Sequence, residues 1–357
     1  ERGRPFSGAL TRALDSGVFE NIDHCDVRSL YPSILLAEGW APSRDGLRVF
    51  PRLLDALRTF RLEAKDAMRS TRDPAEQNEL KALQGTFKIL INSFYGYLGF
   101  SQGTFNDYDL AERVTARGRE ILTMMLDFLT SSGANVLEMD TDGIYFQPPA
   151  GVTGKSAFQK RIQGALPPGI EVELDSAYAA MFSYKSKNYA LLGLDGTVSI
   201  TGAALKSRGL EPFQRRFISR LVELLLKRDF ASVPAMYEKM RGEIERRELP
   251  LADLAKSENL NDSPETYKRK LAAGTGRRSA AYELAIRSKL DFQAGDQVTY
   301  YLTGEKKKVS VVDNAKLLSE APAGERDENV AYYLNKLDEL YANFKAFLPE
   351  EKSPLGI

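Results

Sequence analysis

Three acids stand out by position. Asp26 closes an apolar run in "HCDVRSLYPSILL" (residues 24–36), and Asp140 and Asp142 flank a threonine in "MDTDG" (residues 139–143). An aspartate at a strand end and a pair at a hairpin tip converge if the two strands are neighbours in one sheet. Carboxylates a few ångströms apart repel unless a cation sits between them. Ligands that are all oxygen select hard cations, and Mg²⁺ commonly takes one or two carboxylates plus the phosphates of a bound ligand. Between the two acidic sites runs a series of cations. Arg58, Arg61, Lys65 and Arg69 recur at steps of three, four and four, and Lys81, Gly85, Lys88 and Asn92 share a second helical face. Such stripes neutralise an anion of several charges. Taken alone, DTDG is also what a plain hairpin turn uses, and a basic stripe is also a solvated helix face. Together, separated acids and an intervening basic hairpin suit phosphoryl-type transfer, with metal at the attacking and leaving oxygens and cations on the departing group.

The elements that must position these residues follow from spacing. Residues 15–36 mix a strand-like portion with a helix beginning near Tyr31-Pro32. Leu53, Leu54, Leu57 and Phe60 predict a helix over 51–72 with those residues inward. Asp73 is a good N-cap, Pro74 suits the first helical position and Glu76 stands where a capping-box acid belongs, so a second helix is expected to about Tyr95. A third helix is expected over 109–131, with Val114, Ile121, Leu122, Met125 and Leu129 on its core side. Apolar runs around Asp140–Gly143 predict a hairpin, and residues 187–201 predict another turning at Asp195-Gly196. Past about residue 205 the pattern becomes mostly helical, at 211–229, 233–247 and 328–347, with a strand pair around "QVTYYLTG" and "KKVSVVD". That shift marks the main domain boundary.

A chain of 357 residues is long for one core, so two or three modules are expected. Apolar content of 43% and charged content of 27% are ordinary for a globular protein. No apolar run approaches the roughly 20 residues that cross a bilayer, and no secretory pattern opens the chain. A single cysteine, Cys25, and a single histidine, His24, exclude an internal disulfide and argue against a Cys/His zinc site; both are expected to pack beside Asp26, and the lone Trp40 in the core. An intracellular, reducing setting is expected, cytoplasm or nucleoid in a prokaryote. The net charge is zero, but its distribution is uneven. Residues 266–290 carry seven cations (Lys268, Arg269, Lys270, Arg277, Arg278, Arg287, Lys289) against Glu283, an excess that steers phosphates. Residues 320–351 carry eight acids against three cations and read as a solvated helix face.

Four stretches resemble those of family B DNA polymerases, in the family's order. "DVRSLYPSI" resembles the first palm motif (D-x-x-S-L-Y-P-S-I), "KILINSFYG" the fingers motif (K-x-x-x-N-S-x-Y-G), "DTDG" the second palm motif, and "KNY" the later K-x-Y element. The resemblance is strongest from about 20 to 205. It implies an α+β, right-hand-shaped protein. Its palm, with an antiparallel sheet, would span 1–50 and 97–204, a helical fingers hairpin 51–96, and a mostly helical thumb 205–357. It implies DNA-templated addition of deoxynucleoside triphosphates to a primer 3′ end, with primer-template DNA and dNTP as partners. Two Mg²⁺ ions, which Mn²⁺ can replace, would lower the pKa of the 3′-hydroxyl and escort pyrophosphate.

By the same resemblance Asp26 and Asp142 would be the principal metal ligands, with Asp140 in support and the Val27 carbonyl completing one sphere. Ser29 and Leu30 would offer backbone N–H groups to the triphosphate, and Tyr31 would exclude a 2′-hydroxyl. Arg61, Lys65, Lys88 and Asn92 would contact the incoming triphosphate, with Lys88 protonating the departing pyrophosphate. Tyr95 and Gly96 would pack beside the nascent base pair. Lys187 and Tyr189 would meet the primer-template, and Lys268, Arg269, Lys270, Arg277 and Arg278 would grip duplex phosphates. Two positions depart from the family pattern: Glu138 stands where many members have an aromatic residue, as a third acid that could alter metal affinity, and Gly143 replaces the commoner serine. The 3′–5′ exonuclease and N-terminal domains that usually precede the palm have no room here. A fragment, a split enzyme with those parts on another subunit, and a compact polymerase without proofreading all fit, in replication, repair or lesion bypass. An inactive relative acting as a DNA-binding scaffold would be expected to lose a carboxylate or Lys88, and both are present. A two-metal nuclease would have no use for the cationic hairpin.

Overall fold

The structure, a computed structural model, describes residues 8–152, 154–207 and 209–349. Glu350 and Glu351 of the acidic run lie outside the described residues. The chain divides into two compact units, the first comprising residues 1–179, 183–187 and 193–195, the second 180–182, 188–192 and 196–357.

In the first unit the order is β1 (Thr11–Ala13), β2 (Gly17–Val27), α1 (Leu30–Ala37), α2 (Val49–Ser70), α3 (Pro74–Leu98), α4 (Tyr108–Ser131), β3 (Asn135–Asp140), β4 (Gly143–Gln147), α5 (Lys155–Gly164) and β5 (Val172–Lys185). The sheet runs β1-β3-β4-β2-β5. Register explains which residues face what, because directly paired residues share a face. Met139, Ile144 and Cys25 form one cross-strand row, all buried. On that face Cys25 Sγ lies 3.8 Å from Sγ's neighbour on α4, Met125 Sδ. Val114, Ile121, Leu122, Met125 and Leu129 of α4 are buried there, as their spacing requires. The next rows, Asp140–Gly143–Asp26 and Glu138–Tyr145–His24, lie on the opposite face. One alternation therefore puts the apolar residues on the helix side and gathers Asp26, Glu138 and Asp140 on the other.

α2 and α3 form the long hairpin between the acidic sites. Asp73 caps α3 by accepting from the Ala75 N–H. Glu76 does not reach back to Asp73; it accepts from the Thr71 hydroxyl, so the capping box is replaced by a bond across the turn. The inward face of α2 is Phe50, Leu54 and Ala64, whereas Leu53 and Phe60 are 50% and 52% exposed. A hairpin of only two helices offers a narrow seam, and one partner cannot cover the wider apolar stripe.

The second unit contains β6 (Asn188–Gly193), β7 (Val198–Thr201), α6 (Ala203–Lys206), α7 (Pro212–Leu226), α8 (Ser232–Glu245), α9 (Leu251–Leu254), β8 (Lys256–Asn259), α10 (Pro264–Ala272), α11 (Ala280–Arg287), β9 (Gln297–Leu302), α12 (Val311–Asn314), β10 (Ala315–Leu317) and α13 (Val330–Lys345). β6 and β7 pair across Asp195-Gly196, where Gly196 takes φ +83°. Phe213, Phe217, Leu221, Tyr333, Leu337 and Phe344 are fully or almost fully buried in α7 and α13. The expected strand pair is corrected: β9 pairs with β8 and β10, and "KKVSVVD" contributes α12 instead. The chain re-enters the sheet at Ala315, two residues beyond Asp313, the last residue of that stretch. The acidic run is not simply a solvated face. Glu328 is buried against Arg326 and Arg247, Asp327 accepts from Tyr301 and Lys316, and Asp338 accepts from Tyr237. Among the described residues no helix is long and apolar enough to cross a membrane.

Candidate active site

Asp26 and Asp142 reach the same cavity, of about 300 Å³, from different strands. Asp26 is the penultimate residue of β2 and pairs with Gly143, the first of β4. Asp142 lies in the two-residue loop between β3 and β4, and its carbonyl accepts from Val27 N–H at 2.7 Å, which ties the loop to the end of β2. Thr141 takes φ +56° to make that turn. Burial, and then the nearby charge of Asp140, raise the Asp142 carboxyl above its ordinary range, against the pull of Lys88. This is the signature of negative charge held out of water without full compensation. Asp26, Asp142 and Val27 all line the cavity, and carboxylate and backbone carbonyl oxygens are the donor type a hard divalent cation takes. Asp140 does not line the cavity, and among the described residues no three His, Cys, Asp or Glu side chains come together as a metal cluster. The cavity therefore gathers two of the three expected acids, and Asp140 stands outside its lining, with its side chain accepting from the Thr141 hydroxyl.

The floor of the cavity turns directly from β2 into α1. Ser29, the N-cap of α1, sits in the left-handed region at φ 50° and gives no side-chain cap. The first N–H groups of a helix have no partner within it, and without a cap they face whatever anion is present. Ser29 Oγ instead accepts from Arg61 Nη1 at 3.3 Å. Leu30, Tyr31 and Pro32 line the cavity beside it. Tyr31 packs against Tyr95 with ring centroids 4.4 Å apart. Burial and then Asp142 push the Tyr31 hydroxyl up, and burial pushes Tyr95 up to about 12, so both remain neutral phenols at pH 7. Gly118 of α4 lies under the Tyr31 ring; a Cβ there would be 3.0 Å from Tyr31 Cε1.

The helical hairpin supplies the opposite wall: Arg61 from α2, with Lys88, Asn92 and Tyr95 from successive turns of α3. Lys65 does not line the cavity but lies one turn beyond Arg61 and donates to Glu173 at 3.4 Å. Gly96 stays outside the lining. Four lining residues escaped the sequence reading, namely Arg28, Pro32, Thr141 and Glu173. Arg28, Pro32 and Thr141 sit inside the quoted motifs, where their presence was signalled by position alone. Glu173 alternates with buried Val172 and Leu174, so its only signal was an outward acid in a strand.

Glu138 does not extend the acid pair. It is completely buried, and its Oε1 accepts from Lys187 N–H at 2.7 Å, where Lys187 takes φ 59°. Burial, opposed by that bond, pushes its carboxyl up to about 7. Lys187 is exposed, whereas Tyr189 is buried in β6. In the cationic stretch Lys268, Arg269 and Arg277 are exposed. Lys270 pairs with Asp262 at 2.6 Å and Arg278 with Asp313 at 3.1 Å, so acids from outside the stretch offset part of its charge.

The architecture is that of α+β polymerases. A family B DNA polymerase structure from Pyrobaculum calidifontis superposes over 98% of this chain and 48% of its own, with a TM-score of 0.72 at 19% identity. The chain belongs to DNA polymerase family B, whose family model matches residues 42–344. It is 29% identical over 291 residues to the DNA polymerase of Thermococcus sp. (strain 9oN-7), covering 74% of this chain and 38% of that protein. It is also 29% identical over 248 residues to DNA polymerase 1 of Pyrococcus abyssi, covering 62% of this chain and 32% of that protein. The chain thus spans well under half the length of these curated relatives.

Proposed function

We propose that this chain carries out DNA-templated DNA synthesis, adding dNTP to a primer 3′-hydroxyl. The observation that carries the proposal is the meeting of Asp26 and Asp142 with Arg61, Lys88 and Asn92 around one cavity. Residues 1–50 and 97–204 would act as palm, 51–96 as fingers and 205–357 as thumb. Asp26, Asp142 and the Val27 carbonyl would hold divalent metal, two Mg²⁺ ions by the family's chemistry, with Mn²⁺ as a substitute. Such ions, when bound, activate the attacking hydroxyl and neutralise the leaving group.

The chain's own residues do the positioning. The backbone N–H groups of Ser29 and Leu30, at the uncapped start of α1, would meet the triphosphate, which supplies the acceptors. Arg61, Lys65 and Lys88 place positive charge on the side opposite the carboxylates. Lys88, closest of these in influence to Asp142, is assigned to hand a proton to the departing pyrophosphate. The Tyr31 ring, fixed between Tyr95 and the Gly118 surface, would exclude a 2′-hydroxyl from the sugar pocket. Gly96, Lys187, Tyr189 and the cations Lys268, Arg269, Lys270, Arg277 and Arg278 are assigned to DNA; buried Tyr189 would act by shaping the strand that follows Lys187. These 357 residues would not themselves carry a proofreading exonuclease, whether they are a fragment, a split subunit or a compact polymerase.

Primer extension with this chain, Mg²⁺ and dNTPs tests the proposal. Template-directed extension that Asp142→Ala abolishes, with duplex binding retained, is expected. Extension by Asp142→Ala at the wild-type rate, or none by the wild type with either Mg²⁺ or Mn²⁺, would refute it.

A further inference from the structure

The cationic wall of the cavity already holds an acid. Glu173 Oε1 accepts from Arg28 Nη2 and from Lys65 Nζ, the latter at 3.4 Å. Two residues earlier, Glu171 pairs with Arg28 Nη1 at 2.9 Å and with Arg58 Nη2 at 3.5 Å. Arg58 and Lys65 are seven residues apart on α2, about 10 Å along the helix, and Glu171 and Glu173 are two apart on an extended chain, about 7 Å. Each cation thus meets one of the two outward acids, and the guanidinium of Arg28 forks across both. The result is a ladder tying α2 to the start of β5. Its two rungs differ in one respect: Glu173 lines the cavity and Glu171 does not. The Nε atoms of Arg28 and Arg61 are buried and find no acceptor among the described residues. The wall offers more donors than Glu173 can satisfy.

We propose that Glu173 is a resident anion that competes with the nucleotide's triphosphate for Arg28 and Lys65, and so sets both nucleotide affinity and the preference for triphosphates over less charged nucleotides. The inference rests on the triphosphate assignment above. A ligand that must displace a bound group binds more weakly by the cost of that displacement. A triphosphate carries enough charge to draw both Arg28 and Lys65 away from the carboxylate. A monophosphate offers little more than the carboxylate it would replace. Discrimination thus comes from a built-in competitor as well as from attraction.

The sign of the effect distinguishes this role from a structural one. Binding of non-hydrolysable dNTP, dNDP and dNMP analogues to the intact chain with primer-template, and of inorganic tripolyphosphate to the chain alone, is measured for wild type, Glu173→Gln and Glu171→Gln. For Glu173→Gln, about two- to fivefold tighter dNTP and tripolyphosphate binding is expected, the range a partly exposed ion pair supports. The ratio of dNTP to dNDP affinity is expected to shrink. Glu171→Gln removes the same charge outside the cavity, frees only one nitrogen of Arg28 and leaves Lys65 held by Glu173, so it is expected to tighten binding less than Glu173→Gln does. If Glu173→Gln fails to fold, Glu173→Asp, which keeps the charge but withdraws it from Lys65, is expected to act in the same direction. Unchanged or weaker binding by Glu173→Gln, or equal tightening by Glu171→Gln, overturns the proposal. Lys65→Ala and Arg61→Ala separate this from the parent reading. If they weaken dNTP binding while Glu173→Gln does not tighten it, only the competitor role fails. If they leave dNTP binding untouched, the triphosphate assignment itself fails.

Discussion

Replacing Gly143 by serine, the residue commoner in the resembled motif, tests whether the packing around Asp26 is as tight as the register implies. A Cβ built at 143 would stand 2.4 Å from His24 Nε2, 3.1 Å from His24 Cε1 and 3.1 Å from Asp26 Cβ. Non-bonded heavy atoms prefer roughly 3.5–4.0 Å, so the His24 ring must withdraw by about 1 Å. That ring is stacked on Tyr145 with centroids 4.2 Å apart and planes at 24°. Overpacking of this kind costs about 1–3 kcal/mol, and a disturbed aromatic contact forfeits up to about 1.5 kcal/mol. Because the same Cβ presses on Asp26, extension is expected to slow as well. His24→Ala should remove the obstacle, so the double variant should recover stability and extension relative to Gly143→Ser alone. The coupling should fall in the range of about 0.5–3 kcal/mol found for residues in contact. Thermal or denaturant unfolding gives the stability cycle and single-nucleotide incorporation the activity cycle. Gly143→Ser with wild-type stability and rate, or strictly additive effects with His24→Ala, would refute the reasoning.

Other substitutions probe separate parts of the account. Tyr31→Ala is expected to admit ribonucleotides in a mixed dNTP/rNTP extension series, and unchanged sugar discrimination would remove Tyr31 from that role. Gly118→Val should crowd the same ring, since even a Cβ falls 3.0 Å from it; impaired dNTP incorporation is expected, and kinetics identical to wild type would show that the ring is not held there. Lys88→Ala should lower kcat far more than it weakens duplex binding, measured by single-turnover incorporation beside DNA titration. Asp107 caps α4 and accepts from the Leu110 and Ser43 N–H groups at 2.9 Å and 2.8 Å. Burial would raise its carboxyl, but those bonds and Arg113 outweigh it and hold the group below its ordinary value. Asp107→Ala should cost about 1 kcal/mol of stability near pH 7. Because the folded value is depressed, that contribution is complete above the unfolded value of about 3.9 and disappears as the pH falls through the folded one. Denaturant unfolding at a series of pH values should show the gap between wild type and variant closing in acid.

The parts of the site that were legible are those fixed by local pattern. Alternation placed Asp26 at the end of a strand, and the step of four between Lys88 and Asn92 put them on one helix face. Asp73 and Pro74 marked the start of α3. Long-range partners were not legible. Glu173 and Glu171 look like ordinary outward acids until α2 lies across them and supplies Lys65 and Arg58. Glu138 reads as one more acid beside Asp140, yet its carboxylate accepts from the Lys187 N–H. Asp262 and Asp313 lie outside the cationic window they neutralise, so a window count could not include them. Leu53 and Phe60 fit the helical apolar period as well as Leu54 does, and only the narrow two-helix seam decides which is covered. Local spacing thus gives elements and faces, while charge compensation and burial depend on neighbours far away in the chain.

The most direct test of the central claim is Mn²⁺ binding to the intact chain with primer-template and a non-hydrolysable dNTP, titrated for wild type, Asp26→Asn and Asp142→Asn. Each substitution is expected to weaken Mn²⁺ binding by at least the about tenfold that loss of even an outer-shell partner costs, and to abolish extension. Both variants binding Mn²⁺ as tightly as wild type would contradict the account.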